Sequence, residues 1–430
     1  MLSIIKDDSP APGPAELTRR GFVTNYPQFR NWRQDVAGEA TTPKPLNVYL
    51  HLPYCLQHCA YCYFKTSTLE ETQKAEIDRY VQALCREIEI SSERLHLRER
   101  PVTTVYFGGG TPSLLSGENI DRVMETLNKN LRLVDPEITV EGEPVTLTER
   151  KAKILERHGV NRISIGIQSF CEDVVFKTGR RDTEAQSLEA IRVALATGAV
   201  VNIDLISGLA GEAPETWAYS VRRAIESGAP SITVYKLELY ANTEYHADLR
   251  RQNISIPTDE EEIQYARYAI DTLREAGYET VNFFTLTKGG GYIQKHTDNK
   301  WRGEDLYAFG ASAFGMLGNW AYQNTIDLQK YVDQMEAGEM PTYRGFLYSS
   351  LDMMARDVIL GMKLIHFDRA LFRKRHGVDL VRLCGPEIEK LQEDGFVTVS
   401  DEAISLTDKG ILFGDYAGKT LATTLEGLAS

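Results

Sequence analysis

Three cysteines, Cys55, Cys59 and Cys62, fall within eight residues in the stretch YLHLPYCLQHCAYCYF, spaced C-x3-C-x2-C. Thiolates are soft ligands suited to iron–sulfur clusters and zinc. Three close sulfurs cap three corners of a four-iron cubane and leave the fourth iron open to a substrate or cosubstrate. A zinc knuckle completed by His58 or His51 is the competing reading, but structural zinc draws on paired motifs and no second pair follows nearby. The remaining cysteines, Cys85, Cys171 and Cys384, lie in helical patterns and read as core residues, too sparse for a disulfide framework.

Other residues of the same region suit ligand binding. Gly108, Gly109, Gly110 and Thr111 follow a β-rich run, where missing side chains let backbone approach a ligand or simply make a tight turn. Glu141 ends the next β run, aimed at the same barrel mouth, with Glu143 beside it; a lone carboxylate there also reads as a cap of the following helix. Gln168 ends a fourth run and Arg180 follows in TGRRDT, with Arg181 adjacent; Arg suits bidentate carboxylate recognition. Asp204 stands between Ile203 and Leu205, so a ligand or an Arg partner is expected for it. Tyr49, on the first run, and Tyr61, on the cysteine loop, read equally as core aromatics or as faces for a ligand ring.

The elements that must position these residues alternate. β-rich runs at 47–52, 103–108, 138–142, 162–167, 200–206, 231–240 and 279–286 are separated by amphipathic stretches, several ending in Gly. Alternating strands and helices imply parallel pairing with right-handed crossovers. Seven such runs fit a full or partial β/α barrel, which carries its chemistry at the carboxyl ends of the strands; an open doubly wound sheet is the alternative. Residues 1–45 read as an irregular arm whose Tyr26, Phe29 and Trp32 pack on the body, 46–343 as the barrel with its extension, and 344–430 as a helical, winged-helix-like α+β module. The segment 283–301, with three consecutive glycines, reads as a loop gating the barrel mouth.

The 430 residues carry 48 Lys and Arg against 61 Asp and Glu, a net charge of −13, which argues against nucleic acid as a partner. No apolar run approaches the roughly 20 residues that cross a bilayer, and the acidic, Pro-rich beginning lacks a secretory pattern, so a cytoplasmic location is expected.

The cysteine spacing with Tyr61 before the third Cys resembles the signature of the radical S-adenosylmethionine (SAM) superfamily. YLHLPYC, YFGGGTPSLL, VEGEP, GVNRISIGIQSF, NIDLISGL and the 301–315 segment together resemble the oxygen-independent coproporphyrinogen III oxidase-like family, which includes heme chaperones and class C methyltransferases and cyclopropanases. The resemblance spans about residues 45–430. It implies a partial (β/α)6-type barrel, a [4Fe–4S] cluster on Cys55, Cys59 and Cys62, and the use of two SAM molecules. It also implies an electron donor such as flavodoxin or ferredoxin and a small-molecule substrate. Tyr49, Tyr61, Gly109, Gly110, Thr111, Glu141, Gln168, Arg180 and Asp204 correspond to the family's SAM contacts. The oxidases carry a fourth cysteine two residues after the third, where this chain has Phe64; the chaperones usually carry an acid and an aromatic after the third cysteine, against Tyr63-Phe64-Lys65 here, and begin closer to the first strand. These departures favour C-methylation or cyclopropanation of an unsaturated small molecule, with coproporphyrinogen oxidation and heme binding as the alternatives. Tyr63, Tyr235, Lys236, Glu238, Phe284 and His296 are expected beyond strand ends on the substrate side.

Overall fold

The computed structural model describes residues 22–34, 36, 38, 44–69 and 72–428. Six strands follow one another in space as in sequence: β1 (Leu46–Leu52), β2 (Pro101–Gly109), β3 (Arg132–Gly142), β4 (Arg162–Gln168), β5 (Val200–Ser207) and β6 (Ser231–Lys236). All five pairings between them are parallel. This is the expected partial (β/α)6-type barrel. The connecting helices include α1 (Lys74–Arg94), α2 (Gly117–Asn130), α3 (Glu149–Arg157), α4 (Glu184–Leu195) and α5 (Pro214–Glu226). Thr183 caps α4 by accepting from Gln186 N, and Ser116 caps α2 by accepting from Asn119 N, so the helices start where the sequence supplies a hydroxyl.

Alternation along the strands sorts the side chains. Val48, Leu50 and Leu52 of β1 and Val105 and Phe107 of β2 join the main apolar core, with residues of α1 and α2. The intervening positions carry Asn47, Tyr49 and His51, then Thr104, Tyr106 and Gly108. Those positions form a polar lining rather than the apolar filling of a closed barrel.

The seventh run departs from the expected pattern. It breaks into β7 (Tyr278–Thr280) and β8 (Thr285–Lys288), paired antiparallel, and β8 runs antiparallel to β6. The intervening residues 281–284 turn instead of extending. On the other edge, β9 (Leu306–Phe309) joins β1 in parallel, and β10 (Phe314–Leu317), β11 (Trp320–Asn324) and β12 (Thr342–Leu347) continue the sheet antiparallel. Twelve strands thus form one sheet.

The three-glycine loop lies at the opposite end from the one expected. Arg162, the first residue of β4, donates to the carbonyls of Tyr292 and Ile293 at 2.6 and 3.0 Å, and Glu137 accepts from the backbone N–H groups of Lys295 and His296. Residues 292–296 and the helix α6 (Lys295–Trp301) therefore close the floor of the barrel, at the amino ends of the strands.

Beyond the sheet, Ser350–Gly361, Arg369–His376 and Gly385–Glu393 are helices. His366–Asp368, Val397–Val399 and Ala403–Leu406 form a three-stranded antiparallel sheet among them, the winged-helix-like order. A second apolar core fills this region, and Trp301 and Phe283 join it from the barrel side. Of the arm, Tyr26, Phe29 and Trp32 pack against Met316, Ala321 and Tyr348, as expected of these aromatics, while residues 1–21, 35, 37 and 39–43 lie outside the described residues. Among the described residues no helix is long and apolar enough to cross a membrane.

Candidate functional site at the barrel mouth

The cysteine loop leaves β1 at the carboxyl end and is tied down along its length. A two-residue parallel bridge joins Tyr54 and Cys55 to Ser67 and Thr68, closing the loop at its base. Midway, Ala60 donates its N–H to Thr178 O and accepts from Tyr245 N, both at 2.9 Å, and packs with Val174, Leu209, Leu237 and Tyr245. Gly179, with φ +89°, lets the facing turn come so near that a Cβ there would lie 3.3 Å from His58 O.

The three thiols lie partly buried and close enough to influence one another. Burial pushes Cys55 up to about 11 and Cys62 up to about 12, and raises Cys59, against the pull of the Arg180 guanidinium. Cys55 receives hydrogen bonds from Thr111 and Thr66, Cys59 from Tyr61, and Cys62 from the backbone N–H of Phe64. Such donors stabilise a sulfur that has given up its proton. Three thiolates without a cation would be costly here, so the donor set fits a multinuclear iron–sulfur cluster. Among the described residues no three His, Cys, Asp or Glu side chains converge on the position of a single metal ion. A cubane spreads its thiolates over separate irons.

Around this loop the sequence-selected residues fall into two layers. At the rim, Arg180 is buried and ion-paired to Asp182 at 2.5 Å through Nε, while its Nη2 is buried with no hydrogen-bond partner. Glu143 Oε1 is likewise buried without a partner, and burial lifts the Glu143 carboxyl to about 7 despite Arg180. Gln168 sits in a left-handed conformation (φ +69°), unusual for a non-glycine residue, at a register shift between β4 and β5. Gly166 makes room for it: a Cβ there would lie 2.7 Å from Gln168 Nε2 and 3.7 Å from Arg180 Nη1. Gln168 and Arg180 are therefore neighbours.

Inside the barrel, Glu141 accepts from Tyr106 OH at 2.5 Å and from Gly109 N at 3.2 Å. Asp204 accepts from Asn202 Nδ2 at 2.8 Å and Ser164 Oγ at 3.1 Å, and from Thr233. The Arg partner expected for Asp204 is not what holds it; neutral donors on three strands do. Burial lifts Glu141 to about 7 and Asp204 to about 6, and Asp204 raises Glu141 further by repulsion. Tyr49 stacks on Tyr106 and shares a 3.1 Å hydrogen bond with His51 Nδ1. Burial lowers the His51 imidazole to about 4, so the ring is neutral near pH 7.

Gly109 and Gly110 owe their type to protein neighbours. A Cβ on Gly109 (φ +113°) would lie 2.7 Å from the His51 ring, and one on Gly110 would lie 2.5 Å from Tyr54 O. Thr111 donates its N–H to Tyr54 O at 2.7 Å and also bonds Cys55, joining the glycine loop to the cysteine strand. Tyr61 lies against Cys59 and Tyr245, apart from Tyr49.

Of the substrate-side candidates, Tyr63 stacks on Phe64 and packs on Tyr240 at 4.0 Å, and Tyr235 packs on Phe284 at 5.3 Å. Tyr235 and Tyr63 also interact electrostatically, so these aromatics line one mouth. Lys236 pairs with Glu262, and His296 lies on the floor, bonded to Thr104 Oγ1 at 2.9 Å. His296 thus does not belong to the substrate side. Tyr106 and Asp182 escaped the sequence reading: Tyr106 looks like one more apolar strand residue, and Asp182 like a loop acid two places after Arg180.

The model of the radical SAM superfamily matches residues 49–224, and the HemN C-terminal domain matches 348–413. The chain is 30% identical over 382 residues to the heme chaperone HemW of Lactococcus lactis, covering 86% of this chain and 96% of that one. It is 26% identical over 415 residues to the oxygen-independent coproporphyrinogen III oxidase of Escherichia coli, covering 90% and 89%. The solved structure of coproporphyrinogen III oxidase (HemN) from Escherichia coli superposes with a TM-score of 0.80 at 23% identity, covering 95% of this chain and 97% of that one. These relatives favour the two alternatives named above over methyl transfer or cyclopropanation. The chain belongs to the radical SAM superfamily, in the HemN-like family of oxygen-independent coproporphyrinogen III oxidases and HemW heme chaperones.

Proposed function

We propose that the chain is a radical SAM enzyme that oxidises a porphyrinogen-type tetrapyrrole, after the manner of its coproporphyrinogen oxidase relatives. When bound on Cys55, Cys59 and Cys62, the cluster supplies the electron that splits the S–C5′ bond of SAM into methionine and a 5′-deoxyadenosyl radical.

The chain's own residues bind and orient. The observation that carries the reading is the charge imbalance of the mouth: Glu141, Glu143 and Asp204 are buried carboxylates, and Arg180, the buried guanidinium near them among the described residues, is already paired with Asp182. Such a site favours cationic ligands. SAM brings a sulfonium and an ammonium with one carboxylate, a net positive charge. Glu141 takes an ammonium, and the unpaired Nη2 of Arg180 takes a carboxylate beside the cysteine loop. Gln168 and Asp204 complete the cradle, and room for two net cations against three acids supports a second SAM. Tyr63, Phe64, Tyr240 and Tyr235 offer aromatic faces to a large conjugated substrate at the mouth.

Anaerobic incubation with SAM, a one-electron donor such as flavodoxin or ferredoxin, and coproporphyrinogen III tests this reading. It predicts 5′-deoxyadenosine with carbon dioxide and a decarboxylated tetrapyrrole. Formation of S-adenosylhomocysteine would instead indicate methyl transfer.

Heme binding without oxidation is the second reading. It is supported by the HemW relatives, one of them 30% identical over 382 residues. Stoichiometric heme uptake with no tetrapyrrole turnover would select it.

A further inference from the structure

The floor of the barrel and the acid above it are joined by one continuous set of contacts. Glu137, bonded to Arg162 Nε at 3.1 Å, accepts the backbone N–H of His296 at 3.1 Å. His296 in turn is fixed through Nδ1 to Thr104 Oγ1, and its ring lies 4.9 Å from that of Tyr106. Tyr106 also stacks on Tyr49, with ring centres 5.9 Å apart and planes inclined by 22°, and the Tyr49 and His296 rings lie 6.5 Å from each other, so the three form one cluster. Held in this cluster of three rings, the Tyr106 hydroxyl reaches Glu141 Oε1. Gly108 permits the approach, since a Cβ there would come within 2.8 Å of the Tyr106 ring and 3.1 Å of Glu141 Oε2.

We infer that Tyr106 is a positioning residue for the SAM ammonium site: its hydroxyl, braced from the floor by His296, fixes the Glu141 carboxylate in the orientation that receives the ligand. This rests on the reading that Glu141 binds SAM. The groups facing Glu141 show why a fixed donor is needed. Asp204 repels it from across the barrel, the Gly109 N–H holds only Oε2 at 3.2 Å, and Tyr49, Tyr106 and Tyr235 are phenols whose pKa burial raises further, leaving the Tyr106 hydroxyl as the donor to Oε1. With Oε2 held by Gly109 alone, repulsion from Asp204 would turn Oε1 out of its orientation. Burial raises the Tyr106 hydroxyl further above its ordinary range, so it remains a donor around neutral pH. The loop read from sequence as a gate at the mouth thus acts on the site from beneath.

Tyr106→Phe keeps the stacked ring and removes only the hydroxyl. In the full-length, cluster-reconstituted protein, SAM affinity is measured by equilibrium binding from pH 5.5 to 8.5 for the parent, Tyr106→Phe, Glu141→Gln and the double variant. The expected result is an affinity about 3- to 10-fold weaker for Tyr106→Phe at pH 7, with its acid limb moved to higher pH because Glu141 loses a bond that favours its charged form. Iron content stays as in the parent. In the Glu141→Gln background the second substitution costs under about 2-fold, the non-additivity of residues acting as a unit.

Parent-like binding and an unmoved acid limb in Tyr106→Phe, or fully additive losses, overturn the inference. If Glu141→Gln itself binds SAM like the parent, the assignment of Glu141 fails first. Thr104→Val, which releases His296 without touching the site, supplies the second test should Tyr106→Phe fold poorly: a weaker loss in the same direction is expected, and none would count against the bracing.

Discussion

Replacing Glu141 by Gln separates a binding role from a folding role, because the two move in opposite directions. The carboxyl is lifted from 4.5 to about 7 mainly by burial, so in the ligand-free protein its charged form is unfavourable. A folded pKa above the unfolded value means that the protonated form is favoured and that stability is lost as pH rises from about 4.5 through about 7. At about 1.4 kcal/mol per tenfold, the ionised group costs the empty barrel roughly 3 kcal/mol above pH 7, less whatever solvent entering the mouth screens. Gln keeps the shape, still accepts from Tyr106 and carries no charge. The variant should therefore melt at or above the parent temperature at pH 8, by up to a few degrees, and match it near pH 5. SAM binding should weaken about 10- to 100-fold, the loss of a charge-assisted hydrogen bond in a shielded site. Calorimetric melting at the two pH values, with equilibrium SAM binding beside it, gives both numbers. A variant that melts several degrees lower at pH 8 yet binds SAM normally would refute the reasoning.

Parent SAM affinity should rise between about pH 6 and pH 7 as Asp204 and Glu141 ionise, with proton release on binding below pH 7; titration calorimetry in buffers of different ionisation enthalpy checks this, and a flat profile counts against it. Gly109→Ala forces a side chain into the His51 ring at φ +113°, so it should lower cluster retention after reconstitution, read as iron per chain. Lys363 is wholly buried and ion-paired to Asp415, which also accepts Val23 N at 2.6 Å. Lys363→Met should cost about 3–5 kcal/mol by stranding a buried carboxylate, and adding Asp415→Asn should restore much of it in denaturant titrations.

The parallel barrel was legible because β-rich runs and amphipathic stretches each obey one period, and each parallel strand needs a covering helix. The run at 279–286 misled because its apolar residues split at Asn282 into a turn, with Phe283 and Phe284 packing outward rather than along a strand. The triple glycine at 289–291 shows that a loop motif says nothing of which barrel end it covers; that was decided by Arg162 and Glu137, whose burial a sequence does not reveal. Chain separation hid the site's pairings more than residue type did. Tyr106 meets Glu141 across 35 positions. Arg180, by contrast, could be picked out by its motif, while the partner that neutralises it, Asp182, stood two residues away unremarked.

The central claim is that three sulfurs hold a cluster at which SAM docks. Electron paramagnetic resonance of the anaerobically reconstituted, reduced protein, recorded with and without SAM, addresses it directly. The account predicts a reduced [4Fe–4S] signal that changes shape when SAM is added and disappears when Cys55, Cys59 and Cys62 are all replaced by Ser. A cluster signal indifferent to SAM, or one that survives the triple replacement, would contradict it.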